Sequence, residues 1–527
     1  MAGFRKTIAL ISTITTLILF ISCASGEADT QTSDYANNAE NNNTYDNTAE
    51  RTEISDSAHS AAPAAPMPFT GEPVPRSQFF WQDGRNQDRE SDIRHFAVKA
   101  LRLHPLLTDF DTAGNQVFGI EAVREAYAAD AYDILLQRAI LRNGILADDS
   151  IDVMREAFRE FFINKVNELI LDIPNLNDNE ALFGLAAIAA LLDDAHTRVG
   201  LPMGDVFPAQ FLALYDGIYF IGVPKEAEHA LYSELIAING IDINEIIERL
   251  GRIIPHENEY HLRRVITQEV SEDPVGLRHY VVRPFLKELI TLNYLSVIDD
   301  SGRADFTVRA TAGEIFDIQL EAVNREAGVD EVSFVHHKFS TIMHENPEEV
   351  FWHEYFPGEN LMYVRIRGFS YRYSELFLSA RHRLTAELTD WPEGEKIESF
   401  VIDLRQNPGG LFEWPTISDF PLLSEVSESL YVIIDAGKFS MGVITASNII
   451  HSMENVTIIG EPTGQIDNMF AGDASTLPNS RMRYNISHRM WAGSNSDDIA
   501  IRPDVFIPLT IEDVMNNRDP VFGFIVN

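Results

Sequence analysis

Cysteine is almost missing from this 527-residue chain. There is one, Cys23, so no intrachain disulfide can form and no Cys-based zinc or iron–sulfur site can be built. Positive charge is scarce as well. Lys and Arg number 41 against 80 Asp and Glu, a formal net charge of −39, and such a field repels phosphate backbones, which argues against a nucleic-acid partner and against broad adhesion to anionic lipid. The apolar runs at 7–21 and 181–192 are shorter than the roughly 20 residues that a membrane-spanning helix needs. There is no P-loop and no Gly-x-Gly-x-x-Gly, hence no nucleotide-binding loop, and no repeat of solenoid length. What remains is ordinary: 45% hydrophobic and 23% charged residues, enough for normal cores, in a length suggesting roughly three or four domains.

Arg5 and Lys6 precede the uncharged run 7–21, and Ser22-Cys23-Ala24-Ser25-Gly26 follows it. A basic start and a short apolar stretch read as an export signal. A small residue before a cysteine at its end resembles the bacterial lipobox, with Phe20-Ile21-Ser22 in place of the usual Leu and small residues. On this reading residues 1–23 are a lipoprotein signal peptide and Cys23 carries the lipid, which anchors the protein in a membrane, on its extracytoplasmic (periplasmic or extracellular) side. The alternative is a secretory signal with an incidental cysteine. Residues 24–77 are rich in Ser, Thr, Asn and Pro and poor in large apolar residues, so they cannot offset their ordering entropy and read as a disordered tether.

The folded part divides by period. Residues 78–205 read as a helical domain, with three-and-four apolar spacing over 153–171 and a buried helix from Asn177 to Leu192 that ends at Asp193-Asp194-Ala195-His196-Thr197. Residues 206–330 turn to strand patterns, at 217–223, 235–240, 306–310 and 315–322, with an Asn239-Gly240 turn signal and a short helix over 243–250. Residues 345–527 read as α/β: strands at 361–366, 400–404, 430–434 and 456–459, and helices over 373–388 and 440–453.

Three stretches bear chemistry. In Val401-Ile402-Asp403-Leu404-Arg405-Gln406-Asn407-Pro408-Gly409-Gly410 a buried strand runs into two glycines, whose bare N–H groups can face a developing oxyanion; a plain strand-end turn is the other reading. Ser440 stands between a strand and a helix, either as a nucleophile beside unpaired N–H groups or as an N-cap. Its neighbours Gly437 and Gly442 miss the Gly-x-Ser-x-Gly spacing by one residue. His196 follows two carboxylates at a helix end, either as a general base or as a partner of the helix dipole. Two histidine-bearing segments read as inert. In His256-Glu257-Asn258-Glu259-Tyr260-His261 the histidines are five apart and would diverge by about 140° on a helix, so this stretch reads as a solvated loop. His336-His337 lacks further ligands at useful spacing. No metal and no cofactor is expected.

Together these segments resemble the tail-specific, or C-terminal processing, serine peptidases, in the branch related to the tricorn protease core. Ile402 to Gly410 is similar to that family's Asp-Leu-Arg-x-Asn-x-Gly-Gly segment. Phe439-Ser440 resembles the nucleophile segment, Ile459-Gly460-Glu461-Pro462-Thr463-Gly464 the strand end after it, and Asp194-Ala195-His196-Thr197 the Asp-x-His-Thr segment; Ala237-Ile238-Asn239-Gly240 looks like the end of a degenerate PDZ domain. The resemblance implies an α+β, α/β multidomain fold: a helical cap, a PDZ-like β-rich insert and a crotonase (ClpP)-like catalytic core. It implies peptide-bond hydrolysis through an acyl-enzyme on Ser440, with the N–H groups of Gly409, Gly410 and Met441 as the oxyanion hole. The family's frequent lysine base is missing, because 461–468 holds none. The tricorn-like arrangement then makes His196 the base and an acid ahead of Pro503-Asp504, Asp497 or Asp498, its orienting partner, with Asp497 the one chosen.

Two functions are therefore expected to compete. One is a membrane-anchored serine peptidase acting on peptides or unfolded protein tails. The other is a catalytically inactive homologue that binds peptides or small ligands.

Overall fold

In the computed structural model of the protein, the described residues are 86–527 except 111–116, 120, 147–149, 268–283, 326–332, 370–373, 411–413, 416–418 and 495–497. The expected signal, the tether, Cys23 and Asp497 lie outside the described residues.

The helical region holds Asn86–Leu103, Glu121–Arg142, Ile151–Asp172 and Asp178–Ala190. The last helix starts at a reciprocal capping box: Asn177 accepts the Glu180 N–H while the Glu180 carboxylate accepts that of Asn177. Behind that cap, Ala181, Leu182, Phe183, Leu185 and Ala186 are all buried, as an all-round apolar helix must be. The region does not fill its core alone. A hairpin of Met469–Thr476 and Arg483–Trp491 sends Phe470, Tyr484, Ile486 and Met490 into the cluster that also holds Phe96, Leu136, Phe158, Phe162 and Leu185. The hairpin's second strand also pairs with Arg198–Val199, which starts two residues after His196.

The middle region is a seven-stranded antiparallel sheet. Asn239 and Gly240 both take positive φ, 49° and 75°, and close the tight turn between Glu234–Ile238 and Ile241–Asp242. Along Arg303–Arg309 only Ala304, Phe306 and Val308 are buried, so one face packs and the other meets water. The sheet continues past residue 330, because Phe334–His336 pairs with Ile218–Pro224.

The third region is a six-stranded sheet whose spatial order follows the chain: β1 (Phe351–Phe356), β2 (Leu361–Ile366), β3 (Ile397–Asp403), β4 (Ser427–Ile434), β5 (Val456–Gly460) and β6 (Val505–Phe506). Strand β1 is antiparallel to β2 and the other pairings are parallel. Parallel neighbours need crossovers, and Ser374–Thr389 and Met441–Ser452 supply helices between β2 and β3 and between β4 and β5. Asp403, at the end of β3, is fully buried. It accepts from Tyr363 Oη (2.6 Å) and from Arg405 (2.6 Å), and Arg405 also pairs with Asp519 (2.7 Å). Asp519 in turn caps Pro520–Val526 through the Phe522 N–H. The Asp-Leu-Arg segment thus ties the chain's final helix to the sheet. No helix among the described residues is long and apolar enough to cross a membrane.

Candidate active site

Strand β4 ends at Ile434, and six residues later the chain turns into Met441–Ser452 at Ser440. The turn is abrupt: Ser440 has φ 52° and ψ −126°, and its side chain makes no capping hydrogen bond. An ordinary N-cap serine is extended and caps with its hydroxyl, so Ser440 does not behave as one. Non-glycine residues in such conformations cost roughly 1–3 kcal/mol and persist only where the surroundings over-determine them. The restraints are visible. The Phe439 N–H donates to Asn407 O (3.1 Å), the Gly442 N–H to Phe439 O (3.0 Å), and the Ser440 N–H to Gln465 Oε1 (2.6 Å). A Cβ on Gly442 would come within 2.7 Å of Asn407 O, and one on Gly409 within 2.6–2.7 Å of Phe439 O, Met441 N and Ser440 Cβ. Both glycines are needed for this close approach.

The Pro-Gly-Gly loop lies against the Ser440 turn. The Gly409 N–H, expected to face an oxyanion, donates in this arrangement within its own loop to Asn407 Oδ1 (2.8 Å). Gly410 has φ 141° and bridges to Phe369. The Met441 N–H is the first of its helix and so has no intrahelical carbonyl to receive it.

His196 arrives from the turn after Asp178–Ala190. Its N–H donates to Asp194 Oδ1 (3.0 Å), and its ring stacks on Phe439, centroids 4.4 Å apart at 28°. The Gln465 carboxamide spans the gap between His196 and Ser440. Its Oε1 faces the Ser440 N–H, which can only donate; its Nε2 therefore donates to Glu257 Oε1 (2.7 Å) and to His196 Nδ1 (3.3 Å). In this arrangement Nδ1 is an acceptor and the neutral ring carries its proton on Nε2. Among the described residues no hydrogen bond joins the Ser440 hydroxyl to the His196 ring. Asp194 Oδ1 lies 3.9 Å from His196 Nδ1.

The electrostatics follow from burial. It pushes the His196 imidazole down to about 4, with Asp194 opposing and Arg198 and Arg489 adding to the fall, so the ring is neutral at pH 7. For Asp194 burial acts upward, but the His104 hydrogen bond (3.2 Å) and charge outweigh it and hold the carboxyl at about 2. For Glu257 burial dominates and raises it to about 8, with Asp194 adding.

The stretch 256–261, expected as a solvated loop, is mostly inside. His256, Glu257 and Asn258 are buried. Asn258 Nδ2 donates to Thr463 O (3.1 Å) and Ile499 O (2.6 Å), and His261 stacks on Phe439, centroids 4.9 Å apart. The rule that histidines five apart diverge holds only within one helix. Here the helix is Glu259–Thr267, so His256 lies before it and the spacing says nothing about burial. Glu257, His261 and Gln465 are site residues that the sequence reasoning missed. A glutamine carries no motif, and the one available signal was a run of polar residues dense in His and Glu. The lysine nearest Ser440 in sequence, Lys438, is fully buried and donates to Leu404 O (2.8 Å), with burial pushing its ammonium well below the usual range.

No protein-family model matches the chain, and no curated protein matches it in sequence. Solved structures do resemble it. Mature CPAF matches at 12% identity and TM-score 0.43, over 75% of this chain and 96% of that one. Mature CPAF complexed with lactacystin matches at 12% and 0.45, over 75% and 97%. The photosystem II D1 C-terminal processing protease matches at 12% and 0.30, over 72% and 93%. Likenesses at this level assign no activity to this chain.

Proposed function

We propose that this protein is a serine peptidase that cleaves peptides or unfolded protein tails outside the cytoplasm, held to the membrane by a lipid on Cys23. One observation carries the reading. Ser440 is held in a costly backbone conformation at a strand-to-helix turn, does no capping, and shares the Gln465 carboxamide with a neutral imidazole. A structural serine has no use for that strain.

In this mechanism His196 takes the Ser440 proton through Nε2 as the hydroxyl oxygen attacks the scissile carbonyl. That requires the tautomer with hydrogen on Nδ1, and Asp194 Oδ1 is the acceptor within a short ring movement. Asp194, ionised and anchored by His104, is thus the orienting acid favoured over Asp497. The Met441 N–H, at the positive end of its helix, stabilises the oxyanion, a contribution of about 2.7–4 kcal/mol for one such donor. His196 then returns the proton to the leaving amine, and water repeats the sequence on the acyl-enzyme.

A fluorophosphonate probe tests the reading. Wild type should label between about pH 6 and 9, Ser440→Ala should not label, and His196→Ala should label far more slowly. A second reading, an inactive peptide-binding homologue, has its own observation: the Gln465 amide, rather than the serine hydroxyl, faces the imidazole. Peptide binding without turnover or labelling, unchanged by Ser440→Ala, would decide for it.

A further inference from the structure

Asp194, His196 and Glu257 come from two segments far apart in the chain, and one ligand atom from each lies within 4.8 Å of the others. Glu257 Oε1 accepts from Gln465 Nε2 and from the Ala195 N–H (3.3 Å), but Oε2 is buried with no hydrogen-bond partner among the described residues. A buried oxygen left unpaired costs roughly 1–3 kcal/mol and calls for an explanation.

We propose that Asp194, His196 and Glu257 form a binding site for a divalent transition-metal cation of the Zn2+ class. One imidazole nitrogen and two carboxylate oxygens suit Zn2+, Mn2+ or Co2+. They do not suit Ca2+, which takes about 6–8 oxygens. A shell that orients the ligands is present: His104 Nε2 holds Asp194 Oδ2 (3.2 Å), the Ala195 N–H holds Glu257 Oε1, and Phe439 covers a face of the His196 ring. Tetrahedral bonds of about 2.1 Å put donors roughly 3.4 Å apart, so the cluster, now within 4.8 Å, must contract by up to about 1.4 Å. The Gln465 amide nitrogen must also withdraw. It now does with two N–H bonds what the cation would do: it sits between Glu257 Oε1 (2.7 Å) and His196 Nδ1 (3.3 Å). Arg138, whose charge acts on Glu257, opposes the cation. Its Nη2 is engaged by Glu257 O and Asp193 Oδ2.

Binding does not depend on the peptidase reading. Its consequence does: an ion on His196 would occupy the site's base and inhibit hydrolysis. The test is made in the full chain carrying Ser440→Ala, so that activity plays no part. Zn2+ titrated calorimetrically should bind one high-affinity site, in the micromolar range or tighter, about −8 kcal/mol or better. His196→Ala and Glu257→Gln should each weaken it at least about tenfold. Glu257→Gln keeps the shape of the side chain and guards against a variant that fails to fold. X-ray absorption of the Zn2+-loaded protein should show one imidazole with oxygen neighbours at about 2.0–2.2 Å. No saturable binding up to about 1 mM, unchanged affinity in both folded variants, or a shell without imidazole would each overturn the proposal. Failure of metal-free wild type to label, with Zn2+ binding intact in the Ser440→Ala chain, would sink the peptidase reading alone.

Discussion

Gly409 and Gly313 share a φ of +90° but not their surroundings. At Gly313, in the hairpin turn of the middle sheet, an added Cβ meets nothing within 4 Å. At Gly409 it would lie 2.6 Å from Phe439 O, 2.7 Å from Met441 N and 2.7 Å from Ser440 Cβ. Alanine at either position adopts a disfavoured backbone, at roughly 1–2 kcal/mol. Only at Gly409 is there also overlap, against two backbone atoms that cannot rotate aside, and overpacking of this kind adds about 1–3 kcal/mol. Gly409→Ala should therefore cost about 2–5 kcal/mol and Gly313→Ala about 1–2.

The described residues form several hydrophobic clusters, and a chain with several cores has no single unfolding free energy, so the readout is native-state hydrogen exchange: β3 and β4 amides for Gly409→Ala, Arg303–Arg309 amides for Gly313→Ala. The functional split is sharper. Relief of the clash moves the Ser440 turn, so Gly409→Ala should lose fluorophosphonate labelling at least about tenfold, one such decade being 1.4 kcal/mol. Gly313→Ala should label like wild type. Equal costs, or equal labelling, would refute the claim that Gly409 supports Ser440 by close packing.

Three further outcomes are expected. Ser440→Gly should stabilise the protein by about 1 kcal/mol or more over Ser440→Ala, because glycine alone tolerates φ 52° and ψ −126°; thermal midpoints of the two variants check this. Asp403→Asn should destabilise by about 3–5 kcal/mol, since it leaves the buried Arg405 and Arg365 charges short of their counter-ion; urea unfolding checks this, and Asp519→Asn, with Asp403 still in place, should cost less. Burial raises Glu461 to about 7 from 4.5, so the folded state keeps a proton that the unfolded chain releases. Stability then falls as pH rises from 4.5 to 7, by at most about 3.4 kcal/mol, and the penalty is complete above 7. Glu461→Gln should gain on wild type across that window and then plateau; an offset that is the same at about pH 5 and pH 8 would contradict this.

Much of the fold was legible because single segments encode it. The run behind Asn177 is apolar on all sides and capped, and it forms Asp178–Ala190. Strand 361–366 is present to the residue as Leu361–Ile366, fully buried, and Asn239-Gly240 turns where its dihedrals allow. What was not legible is pairwise. The hairpin of Met469–Thr476 and Arg483–Trp491 alternates like any strand pair, and nothing local says that Phe470 and Met490 pack among helices formed some 300 positions earlier. Leu376 keeps helical spacing in Ser374–Thr389, yet it is 63% exposed; periodicity marks a face without saying what covers it. The candidate site shows the same division. Ser440 and His196 stand in segments with a family likeness. Glu257, His261 and Gln465 matter only through the space they share with those two.

That division bears on how the site works. Ser440 is held chiefly by main chain: Asn407 O on Phe439 N, Phe439 O on Gly442 N, and two glycines that admit the contact. His196 is held by side chains: Asp194 behind it, Phe439 below, Gln465 beside it. Backbone restraints in a packed α/β sheet are stiff, whereas a stacked ring beside one amide has room to change partners. On the proposed mechanism, the conversion from the present arrangement to a reactive one therefore falls on the imidazole, which must exchange the Gln465 amide for Asp194, and not on the serine. Gln465→Ala removes the competing donor at Nδ1 together with one Ser440 restraint. If the backbone restraints suffice, labelling of Ser440 should persist or quicken in that variant; its loss would mean that the amide positions the nucleophile.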